Sequence, residues 1–185
     1  TQNQLTTLDL NNIIDLEQLY APYNQFVSLD LSNNTDLTRI DVYGNQLTSL
    51  DVSNNTALTW LIFGENQMTS MDLSNNTELT ELYCRYNSQL TSLDLSNNTA
   101  LTTLWVFNNN QLTGSLQDLI GPLTNLNELM LYNNQLSGSI PVSICELDIN
   151  FSDQNSFDIS NNNLCPPYPL CVAEYVGEQD CTTGA

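Results

Sequence analysis

The side chains able to do chemistry are few in kind. The 185-residue chain holds 21 acidic residues, two arginines (Arg39 and Arg85), no lysine and no histidine. Without an imidazole, Ser–His and Cys–His nucleophiles are excluded, and no Gly-rich loop is present to cradle a phosphate. A carboxylate pair such as Asp41 and Glu81 has the residue types of glycoside hydrolysis. Nothing in the pattern around it builds a deep pocket, so the chain reads as non-enzymatic, with no cofactor. The formal charge of −19 repels phosphate backbones and anionic membrane surfaces, which argues against nucleic acid. Cationic proteins, neutral glycans and divalent cations stay open as partners, and acidity also serves plain solubility. No apolar run is long enough to span a bilayer, and no signal peptide precedes the first repeat.

The residues that position these groups recur at a fixed period. Ser28–Thr35, Ser49–Thr56, Ser70–Thr77 and Ser92–Thr99 are near-copies offset by 21, 21 and 22 residues. The residues Leu5, Phe26, Leu47, Met68, Leu90, Leu112 and Leu136 mark successive turns, spaced 21, 21, 21, 22, 22 and 24 residues apart. Each turn carries L-x-x-L-x-L-x-x-N-x-L, as in Leu37, Ile40, Val42, Asn45 and Leu47, or Leu126, Leu129, Leu131, Asn134 and Leu136. Two turns, Leu79–Leu90 and Leu101–Leu112, have one extra residue near the Asn. A unit this short cannot bury its own apolar face, so the turns must stack into one continuous core.

This pattern resembles the leucine-rich-repeat family over about residues 1–164. The early turns look like the bacterial type. Leu112–Leu123 and Leu136–Pro141 look like the plant type, with a Cys/Pro-rich C-terminal cap after them. The resemblance implies a repeat solenoid with a parallel β-sheet on the concave face, an extended or 3₁₀ convex side and little α-helix. Residues 1–147 read as repeats, beginning inside a turn, as in a fragment that lacks an N-terminal cap or begins past it. Residues 148–185 read as a degenerate last repeat plus a disulfide-stabilised cap.

Alternation along each L-x-L segment sends one set of side chains inward and the next to solvent. The outward positions, turn by turn, are Gln18, Tyr20 and Pro22; Arg39, Asp41 and Tyr43; Trp60, Ile62 and Gly64; Glu81, Tyr83 and Arg85; Thr103, Trp105 and Phe107; Glu128, Met130 and Tyr132. The framework columns repeat, whereas these vary, and they hold both tryptophans and both arginines. Exposed Trp, Tyr, Phe and Arg have the composition of an interface centre, although aromatics also simply suit strands. The candidate ligand-binding residues are Arg39, Tyr43, Trp60, Ile62, Tyr83, Arg85, Trp105, Phe107, Met130 and Tyr132, with a protein ligand or a glycan as partner. The reading is an extracellular recognition or adhesion module. A surface-coating repeat without a discrete ligand is the alternative, and oligomeric state is left open.

The column Asn24, Asn45, Asn66, Asn87, Asn134 and Asn162 is expected to be buried where the chain leaves the sheet, satisfying backbone groups of adjacent turns. Asn109 or Asn110 fills that place in its own turn. On the convex side Asp9, Asp30, Asp51, Asp72 and Asp94 form a row. At about 4.8 Å between turns, neighbouring charges repel by roughly 1 kcal/mol in water. Hydrogen bonds from backbone or Ser/Thr groups of the next turn are the expected offset. Asp30, Asp51, Asp72 and Asp94 are also weak candidates for calcium, for which one carboxylate per turn is sparse. The rows of Ser28, Ser49, Ser70 and Ser92, and of Thr35, Thr56, Thr77 and Thr99, raise ice or crystal-surface binding, against which the interleaved aspartates argue. Asn33, Asn54, Asn75, Asn97 and Asn150 match the N-glycosylation pattern, which the repeat itself generates.

Of five cysteines, Cys84 takes an inward position and reads as a buried free thiol. Cys145, Cys165, Cys171 and Cys181 read as two disulfides, hence an oxidising compartment. Three pairings are possible; Cys165–Cys171 with Cys145–Cys181 is the preferred one. No C-x-x-C spacing or histidine supports zinc.

Overall fold

A computed structural model of the chain describes residues 3–181. Thr1, Gln2 and the last four residues of the expected repeat and cap segments lie outside the described residues. The structure is one coil of short parallel strands: β1 (Gln18–Tyr20), β2 (Arg39–Asp41), β3 (Trp60–Ile62), β4 (Glu81–Tyr83), β5 (Thr103–Trp105), β6 (Thr113–Ser115), β7 (Glu128–Met130), β8 (Gln135–Gly138), β9 (Phe157–Asp158) and β10 (Asn163–Leu164). Among the described residues the helical elements are α1 (Leu116–Ile120) and a 3₁₀ turn, Val142–Glu146.

Seven strands form the main sheet in the order β1-β2-β3-β4-β5-β7-β9. Its register aligns Leu19, Ile40, Leu61, Leu82, Leu104, Leu129 and Phe157 in one inward column. The flanking column of Ala21, Val42, Phe63, Cys84, Val106, Leu131 and Ile159 is also buried. From the opposite wall Leu10, Leu31, Val52, Leu73 and Leu95 close the same core. Burying one such side chain contributes about 1.5–3 kcal/mol, and each turn supplies several.

The two walls differ because the turns differ. In the 21- and 22-residue turns the Leu-Asp-Leu segments run without regular pairing. In the later turns β6, β8 and β10 make a second parallel sheet, ordered β10-β8-β6. Here the chain needs glycine: Gly114 has φ +120° and Gly138 has φ +83°, values that L side chains rarely adopt.

The asparagine column is buried as expected, with Asn109 and not Asn110 filling the ambiguous turn. Asn66 is representative. Its Nδ2 donates to the carbonyls of Val42, Phe63 and Gly64, and its Oδ1 accepts from the Leu47 N–H. The residue just before this column turns left-handed in each turn, at Tyr23, Gly44, Glu65, Tyr86, Asn108, Asn133 and Asn161. That single reversal takes the chain off the sheet.

A second asparagine ladder, Asn34, Asn55, Asn76 and Asn98, is equally buried on the convex side. Asn55 Nδ2 donates to Asn34 O at 2.8 Å and to Leu31 O at 3.3 Å, and Asn76 and Asn98 repeat the arrangement one and two turns on. A threonine ladder accompanies it, the hydroxyls of Thr38, Thr59, Thr80 and Thr102 each donating to a carbonyl of the preceding turn.

At the C-terminal end the coil is closed by the tail. Asn161 N–H donates to Glu178 O and Asp180 N–H to Asn162 O. A parallel bridge joins Asn162 to Gln179, so the last sheet edge is covered rather than open. The disulfides are Cys145–Cys171 and Cys165–Cys181, with Cα separations of 5.7 and 5.0 Å. The expected pairing of Cys165–Cys171 with Cys145–Cys181 is therefore corrected. The Asn162–Gln179 bridge carries Cys181 alongside Cys165, and the Pro-rich segment between Cys165 and Cys171 leads Cys171 away to the 3₁₀ turn that holds Cys145. Cys84 is free and fully buried, and its burial pushes the thiol well above the ordinary range.

Candidate functional site

The strands present their outward side chains as three columns across the main sheet. Most of the expected outward residues are there. Tyr20 and Arg39 are exposed, and Asp41, Tyr43, Trp60, Ile62, Glu81, Tyr83, Arg85, Trp105, Glu128, Met130 and Tyr132 are half-buried. Three are not solvent-facing. Phe107 is only 6% exposed and Thr103 only 7%, and Gly64 is also buried. Phe107 points off the sheet, outside the leucine core, and is covered by its neighbours. Tyr132 stacks on it at 4.4 Å and 12°, while Tyr86 and Trp105 close its sides at 5.7 and 6.2 Å. Thr103 is short and lies between the longer Glu81 and Glu128 in register.

The aromatic residues join into one track. Ring centroids are 5.9 Å apart for Tyr20–Trp60, 6.1 Å for Trp60–Tyr83 and 5.1 Å for Tyr83–Trp105. From Trp105 the track passes to Phe107 and Tyr132. It crosses the sheet diagonally from β1 to β7. Neighbouring rings meet tilted or edge to face except at the Phe107–Tyr132 stack, the geometry that ring quadrupoles favour.

Both arginines of the chain lie on this track. The Arg39 guanidinium sits 5.9 Å from the Trp60 ring. Arg85 lies 5.2, 5.7 and 5.6 Å from the rings of Tyr43, Trp105 and Phe107. Gly64 makes the reach from Arg85 to Tyr43 possible, since it occupies the turn between them. A Cβ on Gly64 would come within 2.7 Å of Arg85 O and 3.0 Å of the Tyr43 ring. The Arg85 Nε is buried and has no hydrogen-bond partner among the described residues. Its contacts are with ring faces, which attract a cation electrostatically.

Carboxylates line the same face. Tyr83 OH donates to Glu81 Oε2 at 2.7 Å, and Trp105 Nε1–H donates to Glu128 Oε2 at 3.2 Å. Burial, then Glu81, then Glu128 push the Tyr83 phenol well above its ordinary range, so both carboxylates are felt at one hydroxyl. Burial is also the main cause that raises Asp41, against the Tyr43 N–H bond and the Arg85 charge that lower it. Burial and Glu65 raise Tyr43. Asp41 and Glu81 are not brought together as a catalytic pair. They sit in different columns two strands apart, Asp41 aligning with Ile62 and Glu81 with Trp60.

The convex aspartates are bonded locally. Asp30, Asp51, Asp72 and Asp94 each accept the N–H of the serine two residues on, at 2.9–3.0 Å, and Asp30 also accepts the Ser32 hydroxyl at 2.6 Å. The expected donors of the next turn are replaced by donors of the same turn, because the bend after each Asp folds the serine back over its carboxylate. Those serine bonds hold all four below the usual carboxylate value. Among the described residues no three acidic or cysteine side chains converge to hold a metal ion. A groove of about 750 Å³ opens on this side where α1 steps out from the flatter turns. Asp94, Gly114, Asp118 and Pro122 are among its lining residues, and it lies away from the aromatic track.

The sequence reading missed the buried second asparagine ladder. Asn34, Asn55, Asn76 and Asn98 were visible only as the middle residue of an N-N-T repeat; their invariance from turn to turn, which the outward columns lack, is the signal that marks them as framework.

A parallel coil whose regular columns are framework and whose one variable face is aromatic defines a repeat scaffold. The family model for the leucine rich repeat matches residues 125–147. The functional domain of InlJ from Listeria monocytogenes, which includes a cysteine ladder, is similar at 25% identity and a TM-score of 0.52, covering 98% of this chain and 48% of that one. The Arabidopsis receptor kinase HAESA, solved with the peptide hormone IDA and the co-receptor SERK1, is similar at 27% identity and a TM-score of 0.73, covering 90% of this chain and 29% of that one. A Leptospira interrogans leucine-rich-repeat protein shares the fold at 21% identity and a TM-score of 0.57, covering 85% and 46%. No curated protein matches the chain. The chain spans about half or less of the length of these structures. Residues 125–147 carry a leucine rich repeat, and the coil as a whole has the leucine-rich-repeat fold.

Proposed function

We propose that the chain is a non-catalytic recognition module that binds an extended segment of a protein ligand along the Tyr20–Tyr132 track. The observation that carries this is the track itself: half-exposed Trp and Tyr side chains gathered on the one repeat-variable face. Rigid aromatics of this kind supply binding energy at small entropic cost. HAESA, whose structure holds a peptide hormone, supports the reading by its likeness. Two disulfides support an oxidising setting, secreted or on a cell surface, and adhesion is the fitting role there. A glycan is the second reading, favoured by Trp60 and Trp105 with carboxylates beside them. Sugar stacking needs open ring faces, however, and these rings tilt against one another by 45–76°.

A displayed random-peptide library panned on the chain tests this. Selected peptides are expected to lose at least about tenfold in affinity for Tyr83→Ala/Trp105→Ala and to keep it for the convex control Asp51→Asn/Asp72→Asn, with both variants shown by circular dichroism to be folded at the assay temperature. Peptides indifferent to the concave pair would overturn the reading in favour of a coating repeat.

A further inference from the structure

The second parallel sheet has two edges, and the chain treats them differently. At β10 the tail covers the edge, Leu164 N–H donating to Gln179 Oε1 and Asn162 pairing with Gln179. At β6 the edge is bonded once, by Thr113 N–H to Thr91 O at 3.2 Å, and then left open. Backbone groups alternate in direction along a strand. Leu112 O faces β8, where it accepts the Gln135 N–H, and Thr113 N–H faces the preceding turn. The Thr113 carbonyl and the Ser115 N–H therefore also face the preceding turn, and neither is bonded to a described residue. They look onto the groove of about 750 Å³ that separates β6 from residues 92–94. The backbone of residues 92–94 makes no hydrogen bond to a described residue either. Nothing lies within 4 Å of where a Cβ on Gly114 would stand, so no neighbour roofs the strand.

We infer that the β6 edge takes an extended, cationic peptide segment of a partner, added in this groove as a fourth strand to the sheet β10-β8-β6. It is a second site, independent of the concave track. Three observations carry it. Unpaired N–H and C=O groups along a strand edge are a template for another extended backbone, and β6 presents one of each. The groove supplies the room beside them, at the size ligand clefts ordinarily have. Its charged lining residues are Asp94 and Asp118, with no basic residue, which selects cationic side chains on the incoming strand. The same charge disfavours a second copy as occupant. Pairing β6 with β6 would bring Asp94 and Asp118 of both copies together, on two chains of charge −19, and like charges at this range repel. No aromatic residue lines the groove, so it lacks the ring faces on which a sugar would stack.

Ser115 allows the N–H alone to be removed, since its φ of −79° and ψ of 131° suit proline. Ser115→Pro deletes the donor and keeps the backbone path, whereas Ser115→Ala keeps the donor. The probe is an end-capped nonapeptide alternating threonine with lysine, titrated against the intact, isotope-labelled chain in nuclear magnetic resonance. The Ser115 amide is expected to shift, and its hydrogen exchange at saturation to slow by at least about tenfold. Binding is expected to weaken at least about tenfold in Ser115→Pro and to stay within about twofold in Ser115→Ala, with both variants shown by circular dichroism to be folded. Asp94→Asn/Asp118→Asn is expected to weaken the peptide at least about fivefold, while Asp30→Asn/Asp51→Asn, an equal change of charge further along the convex side, leaves it within about twofold. Equal binding to the proline and alanine variants would overturn the strand edge as the site. Equal loss in the two charge variants would overturn it in favour of diffuse attraction. A Ser115 amide that does not move at millimolar peptide would overturn it as well. A Ser115 amide protected in the free chain and released on dilution would assign the edge to a second copy and overturn the peptide. The concave-face reading stands or falls separately, on the library experiment above.

Discussion

Asn66 bonds to groups of two turns through four hydrogen bonds, whereas Asn54, on the exposed side, makes one to Ser32 O. Removing Asn66 leaves the buried Leu47 N–H without a partner and strips one of two donors from the Val42 carbonyl, which Asn45 still reaches, and the orphaned donor costs its full desolvation. Asn66→Ala is therefore expected to lower stability by about 3 kcal/mol or more and Asn54→Ala by less than about 0.5 kcal/mol, read from denaturant melts. Equal effects would contradict the ladder account. The convex aspartates give a pH dependence. Their folded values lie below the unfolded one, so their contribution is complete above the unfolded carboxylate value and is lost as pH falls through the folded one. Asp41, raised by burial, acts with the opposite sign. The melting temperature should thus fall in acid, and Asp→Asn at positions 30, 51, 72 and 94 together should flatten that fall; an unchanged slope would refute it. At this scale the sequence made the first asparagine column legible, because its place in L-x-L-x-x-N fixes its role. The expectation that Phe107 is exposed fails because Tyr132 and Tyr86, from the turns on either side, cover its ring together with Trp105 of its own strand.

The strands were legible to the residue: the expected outward pairs Gln18/Tyr20 through Glu128/Met130 are the ends of β1 to β5 and β7. Alternation has a period of two, and the repeated leucines allow a single register. What the repeat does not specify is the cap. Cys145, Cys165, Cys171 and Cys181 pair according to how the tail lies on the last turn, and that path follows from the Asn162–Gln179 bridge, for which no repeated motif exists. Non-reducing peptide mapping should recover Cys145–Cys171 and Cys165–Cys181 linkages. Replacing Cys165 and Cys181 together by Ala should cost about 3 kcal/mol for closing a loop of this length, with the loss concentrated at β9 and β10 in hydrogen exchange. Linkage of Cys165 to Cys171, or protection lost evenly along the coil, would contradict this.

Across the whole molecule the coil separates two jobs. Invariant columns of leucine, asparagine and threonine hold neighbouring turns together, and stability is a sum over such neighbours. The outward face of the sheet is free to vary, and on it the chain gathers both tryptophans and both arginines. The most direct test is hydroxyl-radical footprinting of the chain, free and saturated with a library-selected peptide. The account predicts protection at Trp60, Tyr83, Trp105 and Tyr132, with Tyr168 and Tyr175 of the cap unchanged. Protection confined to the cap or to the convex side, with those four rings labelled as in the free chain, would contradict it.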